Sequence, residues 1–345
     1  MKIILDAMGG DNAPGEIIKG AVDAVNKSEK VTVILVGLSD VITEELKKYE
    51  YDKKRIQIRH ASEVISTEEV PTVAIKRKKD SSIVVGAKMI KAGEADAFVS
   101  AGSTGAVMVA GVLVTGRIRG IERPTLGALI PTKKGVALLV DSGANADCRP
   151  EQLLQFAQMG SIYMEYVMGV KSPKVCLVNI GLEEEKGNAL VKETHPLLKA
   201  CDKINYQGFI ESREIAAGQA DVIVADGFTG NVALKMYEGV ANVLLDEIKG
   251  VMMSNIVTKI GALLIKKSLK KTLKKYDAKQ YGGAPLLGLN GLIVKTHGSS
   301  KAGEVCNSIL QCETFKEQGI GDKIKDQLGR KPKVKSEIKT EESEG

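Results

Sequence analysis

Short apolar segments alternate with helix-period segments along most of the chain. Nine of them are rich in Val, Ile and Leu, which predicts strands at 3–5, 31–36, 56–58, 97–99, 126–130, 136–140, 175–178, 222–224 and 292–294. Segments in which apolar residues recur every three or four positions predict helices at 14–27, 83–92, 150–168 and 229–247. This alternation is typical of an α/β protein.

Most of the predicted strands are continuous apolar runs, as in a sheet that helices cover on both faces. They predict a doubly wound, three-layer α/β/α architecture with a largely parallel sheet. The runs 126–130 and 136–140 are close enough to form an antiparallel hairpin, so the sheet should be mixed. We expect residues 1–330 to form an α/β catalytic unit of one or two lobes. Residues 331–345 are rich in Lys, Glu and Ser and predict a disordered tail.

The composition is that of a globular chain, with 43% hydrophobic and 27% charged residues. The five cysteines form no C-x-x-C pair and the three histidines lie far apart, so no disulfide framework or metal site is expected. No G-x-G-x-x-G or Walker A sequence occurs, and no cofactor is expected. No apolar run approaches the ~18 residues of a spanning helix, and the first residues do not resemble a signal peptide. We therefore expect a cytoplasmic protein.

The net charge of +6 is concentrated in one segment, because residues 259–279 contain eight lysines and one acid. Apolar residues recur at three- and four-residue steps through 245–275 with lysines between them, which predicts a basic amphipathic helix. Such a helix contacts an anionic membrane surface or an acidic partner; alternatively, its apolar stripe packs on the body. The residues expected to make this contact are Met252, Ile256, Ile260, Lys266, Lys267, Lys270, Lys271 and Lys274.

Nucleic acid is not an expected partner. Basic residues are not spread along a face with aromatic platforms between them, since aromatic residues are only 4% of the chain and Trp is absent.

Glycine-rich polar loops follow several of the predicted strands, at 6–12, 100–105, 141–147, 179–188, 226–231 and 297–300. In open α/β sheets, ligands bind beyond the carboxyl ends of the strands, where helix N-termini present N–H groups to anions. Each loop alone is more often an ordinary helix cap or turn than a binding site. Together they predict a small-anion site, with phosphate as the expected anion. The candidate substrate-binding residues are Asp6, Gly9, Gly10, Asp11, Asn12, Ser103, Thr104, Gly105, Asp141, Asn145, Asn179, Gly181, Asn188, Gly227, Gly230, Asn231, Gly298, Ser299 and Ser300.

The sequence motifs in these loops resemble those of the phosphate acyltransferase family, PlsX, of bacterial phospholipid synthesis. The matching motifs are DAMGGDNAPGE at 6–16, HASEVI at 60–65, RKKDSS at 77–82, SAG and TGA within 100–106, NIG and EEEKGN within 179–188, DGFTGNVALK at 226–235, and YGGAPLLGLNG and HGSS within 281–300. They cover nearly the whole predicted ordered chain. Two positions depart from the family pattern, because Ser103 replaces an expected Asn and Ser142 replaces an expected apolar residue.

The resemblance implies a fold like those of isocitrate dehydrogenase and phosphotransacetylase, and a homodimer. It also implies transfer of a fatty acyl group from acyl carrier protein to inorganic phosphate. The acyl phosphate would then serve the next acyltransferase, which acylates glycerol 3-phosphate. For an enzyme of this kind, the expected location is the cytoplasm, in part at the inner face of the cell membrane.

A thioester is already activated, so this reaction mainly requires a site that holds phosphate against the carbonyl carbon and stabilises the oxyanion. The candidate catalytic residues are Lys186, Lys295, His297 and Asp226. One of the first three is expected to neutralise charge or assist the departing sulfur, and the sequence leaves open which one. Asp226 is expected to orient donors, because a carboxylate repels a phosphate dianion.

Two other functions fit parts of the sequence. The segment Ala101–Gly105 resembles a nucleophile elbow, and Ser103, Asp226 and His297 follow the order of an α/β-hydrolase triad. The basic segment alone is also compatible with a non-catalytic membrane scaffold.

Overall fold

A computed structural model describes residues 1–274, 276 and 281–329. The predicted tail lies outside the described residues, as does Lys275 at the end of the predicted basic segment. The strands are β1 (Lys2–Asp6), β2 (Thr32–Gly37), β3 (Ile56–His60), β4 (Ala97–Ser100), β5 (Thr125–Leu126), β6 (Ala128–Thr132), β7 (Gly135–Val140), β8 (Lys174–Val178), β9 (Asn205–Ile210), β10 (Val222–Val224), β11 (Ala284–Leu287) and β12 (Leu292–Lys295).

Helices connect most of these strands. They are α1 (Gly15–Lys27), α2 (Ser39–Leu46), α3 (Pro71–Arg77), α4 (Ser82–Lys91), α5 (Thr104–Ala110), α6 (Pro150–Tyr166), α7 (Ala189–Lys199), α8 (Gly227–Met252), α9 (Ile256–Lys274), α10 (Ala302–Glu317) and α11 (Ile320–Leu328). A π-helical turn at Gly111–Thr115 continues α5, and a 3₁₀ helix lies at Ser212–Ala217. The four helices predicted from the sequence are confirmed, with ends that differ by a few residues.

The strands form two mixed, mostly parallel sheets. The first has the order β3-β2-β1-β4-β12-β11-β5, in which only β11 runs antiparallel to its neighbours. The second has the order β6-β7-β10-β8-β9, in which only β6 is antiparallel. Buried residues cover both faces of the first sheet, with Ile3 and Leu5 in one apolar cluster and Ile4 in another. The α/β prediction is therefore confirmed, with two sheets.

The predicted hairpin is confirmed, but its first strand belongs to both sheets. Leu126 pairs with Leu286 in the first sheet, whereas Ala128 pairs with Leu139 in the second. Gly127 lies between them and donates its N–H to Pro285 O at 3.1 Å. This crossing point joins the two sheets.

The basic segment, predicted as one helix, is two helices. The chain breaks between α8 and α9, where Asn255 Oδ1 accepts a 2.9 Å hydrogen bond from Thr258 N. Such a side-chain cap satisfies a backbone donor at the start of a helix and favours a new helix there. Beyond its first turns α8 has few buried residues, and α9 is almost entirely exposed.

Candidate active site

Three polar residues form a row at the carboxyl edge of the first sheet. Lys295 pairs with Ser100 across β12 and β4. Leu5 pairs with Val99 across β1 and β4, so the residues that follow them, Asp6 and Ser100, also lie side by side. Partners in a parallel register point to the same face. The three side chains therefore lie together at the edge where this fold binds ligands.

Asp6 and Ser100 are fully buried at this edge. Ser100 Oγ donates a 2.7 Å hydrogen bond to Asp6 Oδ2, and Gly102 N donates to Ser100 Oγ at 3.0 Å. Burial raises the pKa of Asp6, although hydrogen bonds from Ser82 and Ser100 oppose this. The pair therefore links the loop after β4 to the end of β1.

Lys295 is a buried cation, with 8% of its surface exposed. Burial lowers its pKa to about 8, while the charges of Asp6 and Asp11 act in the opposite direction. Its Nζ donates to the carbonyl oxygens of Thr296 and Ala101, the latter at 3.3 Å. Carbonyl partners satisfy donors without neutralising the charge, so the ammonium group remains able to attract an anion.

The loop after β1 interlocks with the loop after β12. Asp11 N donates to Gly298 O at 2.8 Å, and Asn12 Nδ2 donates to Ser299 O at 3.0 Å and to Ser300 O at 3.3 Å. The Asn12 amide nitrogen therefore holds the two loops together.

Gly9 and Gly10 allow the close approach of these loops. A Cβ atom on Gly9 would lie 2.7 Å from Gly102 N and would also overlap Asp6 Oδ2. Gly10 has φ +98°, and its Cβ atom would lie 2.8 Å from Ala101 Cβ.

The remaining candidates of this group lie around the same edge. Ser103 caps α5 by accepting a hydrogen bond from Ala106 N at 3.4 Å, and Thr104 and Gly105 form the first turn of that helix. His297 is exposed, and its Nδ1 lies 2.8 Å from Ser299 Oγ.

A second group of candidates lies at the carboxyl ends of the second sheet. Asp141 follows β7, is fully buried and accepts hydrogen bonds from the backbone N–H groups of Leu126, Gly143, Ala144 and Asn145. Asn145 Nδ2 also donates to Asp141 Oδ2 at 2.8 Å and to Pro124 O at 2.8 Å. Burial raises the pKa of Asp141, and these donors oppose the shift. Asp141 therefore organises the loop and ties it to β5 of the first sheet.

The start of α8 packs on this loop. Gly227 N donates to Asn145 O at 2.7 Å, and a side chain at Gly230 would overlap Asp141 O. Asp226 caps the helix, because its carboxylate accepts from Thr229 N at 2.9 Å and from Thr229 Oγ1 at 2.8 Å. Asn231, one turn later, lies beside Gly143.

The loop after β8 supplies the last candidates. Asn179 Nδ2 donates to Lys186 O at 3.2 Å, so the two ends of the loop that includes Gly181 are held together. Lys186 Nζ lies 2.9 Å from Glu183 Oε1, an exposed ion pair that raises the pKa of Lys186. Asn188 caps α7 by accepting from Val191 N at 2.9 Å.

The two groups approach each other at β5. Asp141 Oδ1 accepts a hydrogen bond from Leu126 N, and Ser142 N donates to Leu126 O. In the first sheet only β11 separates β5 from β12, and two strand spacings amount to about 10 Å. The structure thus brings the loops of both sheets to neighbouring positions. It also adds Ser100 and Ser82, two serines of the SAG and RKKDSS motifs that are not among the candidate site residues.

A hydrolase triad is not assembled. Ser103 and His297 lie at the edge of the first sheet and Asp226 lies on the second. Within the described part of the chain, the hydrogen bonds of these three side chains go to Ala106, to Ser299 and to Thr229, not to one another.

The residues expected to contact a membrane or a partner lie at the end of α8 and along α9. Ile256 is 75% exposed and Ile260 is 57% exposed, whereas Met252 is half-buried. Lys266, Lys267, Lys270 and Lys271 are exposed farther along α9. The side chain of Lys274 lies outside the described part of the structure. Among the described helices, none combines the length and apolar character needed to cross a bilayer.

The fold is that of the phosphotransacetylases. It is similar to the phosphotransacetylase from Streptococcus pyogenes, with a TM-score of 0.61, 16% identity and coverage of 92% of this chain and 94% of that chain. It is also similar to the EutD phosphotransacetylase from Staphylococcus aureus, with a TM-score of 0.58, 18% identity and coverage of 91% and 94%. At these identities the likeness defines the fold class.

Sequence similarity defines the family. Residues 1–323 match the family described as "Fatty acid synthesis protein". The phosphate acyltransferase of Alkaliphilus oremlandii is 52% identical over 324 residues, which are 94% of this chain and 96% of that protein. The phosphate acyltransferase of Clostridium novyi is 48% identical over 331 residues, which are 96% and 99% of the two chains. The chain therefore belongs to the phosphate acyltransferase family and is an acyltransferase.

Proposed function

We propose that this enzyme transfers a fatty acyl group from an acyl carrier protein thioester to inorganic phosphate. The observation that carries the proposal is Lys295, a buried cation with carbonyl partners at the edge where three glycine-rich loops meet. A phosphate dianion is attracted to such a cation, and the low dielectric of a buried site strengthens the attraction. The names of the relatives, phosphate acyltransferases, support the same chemistry.

In the proposed reaction, a phosphate oxygen attacks the thioester carbonyl carbon. The carbon–sulfur bond breaks, and the products are an acyl phosphate and the carrier thiolate, which takes up a proton from solvent. Lys295 holds phosphate and offsets the charge that develops on the carbonyl oxygen. The loop at Gly9 and Gly10, which packs closely on Ala101 and Gly102, supplies backbone N–H groups that help to hold phosphate. His297, which is exposed beside Ser299, assists the departing sulfur.

The product is a mixed anhydride that would serve an acyltransferase acting on glycerol 3-phosphate in phospholipid synthesis. An acyl phosphate is a stronger acyl donor than an ester, so a second enzyme must use it before water does. This places the reaction before an acylation of an alcohol.

The reaction is tested by release of carrier thiol from palmitoyl-acyl carrier protein, with and without inorganic phosphate and in the presence of EDTA. We expect release that depends on phosphate and survives EDTA, with acyl phosphate trapped by hydroxylamine. Release that is independent of phosphate would support the hydrolase instead. The absence of release under both conditions would leave the scaffold as the better function.

We also propose that the segment formed by the end of α8 and by α9 contacts the anionic inner face of the cell membrane reversibly. It exposes Met253, Ile256, Val257 and Ile260, and four described lysines follow on α9. Apolar insertion together with about 1 kcal/mol for each lysine near an anionic surface gives reversible binding. Sedimentation with vesicles of phosphatidylglycerol tests this, and Ile256→Glu with Ile260→Glu should abolish binding.

A homodimer is proposed from a second apolar stripe, along α8. Phe228, Val232, Met236 and Val240 follow at four-residue spacing and are each at least half exposed. The opposite side of α8 packs on the second sheet, where Tyr237 OH donates to Pro131 O at 2.7 Å. Light scattering should show a dimer, and Val232→Glu with Met236→Glu should yield monomers.

A further inference from the structure

The row of the candidate site continues to the outer strand of the first sheet. Asp6 pairs with Val36, and Val36 pairs with Arg59 on β3. Arg59 therefore lies in the same row as Asp6, Ser100 and Lys295, on the same face of the sheet. Four strand spacings separate β3 from β12, a distance of about 19 Å along the carboxyl edge.

Arg59 borders a surface depression of about 360 Å³ between β3 and α4. Lys88 and Met89 of α4 line the same depression, together with His60 and the two acidic residues Asp80 and Glu94. Asp80 accepts hydrogen bonds from Ser62 N at 2.8 Å and from Ser62 Oγ at 2.6 Å, and these bonds, together with the charge of Lys88, lower its pKa. The depression itself therefore carries charges of both signs, and further cations of the adjoining segments extend the basic surface beyond it.

Five exposed cations lie on β3, on α4, at the end of α3 and between α3 and α4, and we call them the Arg59 surface: Arg59, Arg77, Lys79, Lys88 and Lys91. Within the described residues none of them forms an ion pair with a carboxylate, although Lys88 Nζ donates to Lys79 O at 2.9 Å. Unpaired cations attract an acidic partner at long range and orient it.

The Arg59 surface is connected to the candidate site through the chain. Lys79 lies only three residues before Ser82, whose side chain hydrogen-bonds to Asp6. Three residues span at most about 11 Å. A partner held on this surface therefore lies at the outer end of the row that leads to Lys295.

We propose that the acidic carrier domain of the thioester donor docks on the Arg59 surface, and that its arm runs along the carboxyl edge to Lys295. This inference rests on the proposed function, which requires a carrier-bound thioester. The complementary charges supply recognition, and the span of about 19 Å sets the length of arm that the donor needs.

The test compares two donors, palmitoyl-acyl carrier protein and palmitoyl-pantetheine, which has the arm but no carrier domain. In the double variant Arg59→Glu with Lys88→Glu, we expect KM for the carrier-bound donor to rise about 10-fold, with a weaker dependence on salt. We expect kcat and the KM for palmitoyl-pantetheine to change less than about 2-fold, because the variant leaves the row at Lys295 intact. A matched control is Lys171→Glu with Lys192→Glu, two exposed lysines near the second sheet.

Three outcomes would overturn the inference or its basis. An unchanged KM for the carrier-bound donor in the Arg59→Glu, Lys88→Glu variant would overturn docking on this surface. If Lys266→Glu with Lys270→Glu raised KM for the carrier-bound donor and Arg59→Glu with Lys88→Glu did not, the carrier would dock on α9 instead. If the wild-type enzyme released thiol from neither donor in the presence of phosphate, the proposed function itself would fail.

Discussion

Ser100 Oγ donates a 2.7 Å hydrogen bond to Asp6 Oδ2, and this bond joins the ends of two parallel strands next to a buried lysine. The pair is fully buried, so its geometry is fixed by the register of the sheet and not by the surface loops. It therefore provides a rigid base for Lys295 and for the glycine-rich loop that follows Asp6. Catalytic groups need such support, because small displacements reduce the rate strongly.

Replacement of Lys295 should remove most of the activity. In Lys295→Met the side chain keeps a similar length but loses its charge, so we expect kcat to fall about 10²- to 10³-fold. The fold should persist, since an isolated buried charge is costly to maintain. The measurements are phosphate-dependent thiol release and thermal unfolding. Lys192→Met is the control at an exposed lysine, and equal loss in both variants would contradict the role of Lys295.

The pH dependence of the activity should follow the protonation of Lys295. Its pKa of about 8 means that the side chain is charged below this pH and neutral above it. We therefore expect kcat/KM to fall as the pH rises through about 8, and this fall should be absent from the residual activity of Lys295→Met.

The contribution of Lys295 to the free energy of unfolding changes with pH in the opposite direction. Since the folded pKa is below the ordinary value of 10.5, the unfolded chain binds more protons between these values, and the free energy of unfolding rises with pH there.

Gly9→Ala should disrupt the site. Its Cβ atom would lie 2.7 Å from Gly102 N, and neighbouring backbone cannot move away as a flexible side chain can. We expect a loss of phosphate-dependent activity and a lower melting temperature. Gly239→Ala is the matched control in the exposed part of α8, where a Cβ atom meets nothing within 4 Å. That change should stabilise the helix by about 0.5–1 kcal/mol, and similar effects of both variants would argue against a special role for Gly9.

Asp141→Ala should destabilise the connection between the two sheets. Four backbone N–H groups and the Asn145 amide would lose their acceptor, so we expect a decrease of about 3 kcal/mol or more in the free energy of unfolding. Because burial raises the pKa of Asp141, its effect on stability also depends on pH. The folded state binds the Asp141 carboxyl proton more tightly than the unfolded chain does. The stability that this bound proton contributes is therefore lost as the pH rises through the folded pKa. Chemical denaturation at several pH values measures both effects, and a fully stable Asp141→Ala protein would refute the assignment.

Ser103→Ala should keep its phosphate-dependent turnover. Ser103 acts as a helix cap for α5, so its loss should cost about 1 kcal/mol of stability while the Lys295 row stays intact. A fluorophosphonate probe should not label the wild-type protein. Labelling at Ser103, or loss of turnover in the folded variant, would support the hydrolase function instead.

The local pattern of the sequence was enough for the α/β class and for four of the helices. Apolar runs and helix periodicity depend on neighbours within a few residues, and the four predicted helices and the β6–β7 hairpin are confirmed. Two strands, β9 and β11, were not predicted. β9 has a mixed, half-exposed pattern, and β11 contains Pro285, which weakens a strand signal.

The sequence by itself determined the family and the loops that carry the candidate chemistry, because both are written in short contiguous motifs. Only the tertiary structure decided which loops meet. Strand order placed Lys295 beside Ser100, almost two hundred positions earlier in the chain, and put Asp226 on another sheet from Ser103 and His297. The tertiary structure also decided that Lys295 is buried and Lys186 is exposed. The sequence alone offered both as catalytic candidates and could not distinguish them. Burial and register arise from contacts between distant segments, and these contacts have no signature in a local pattern.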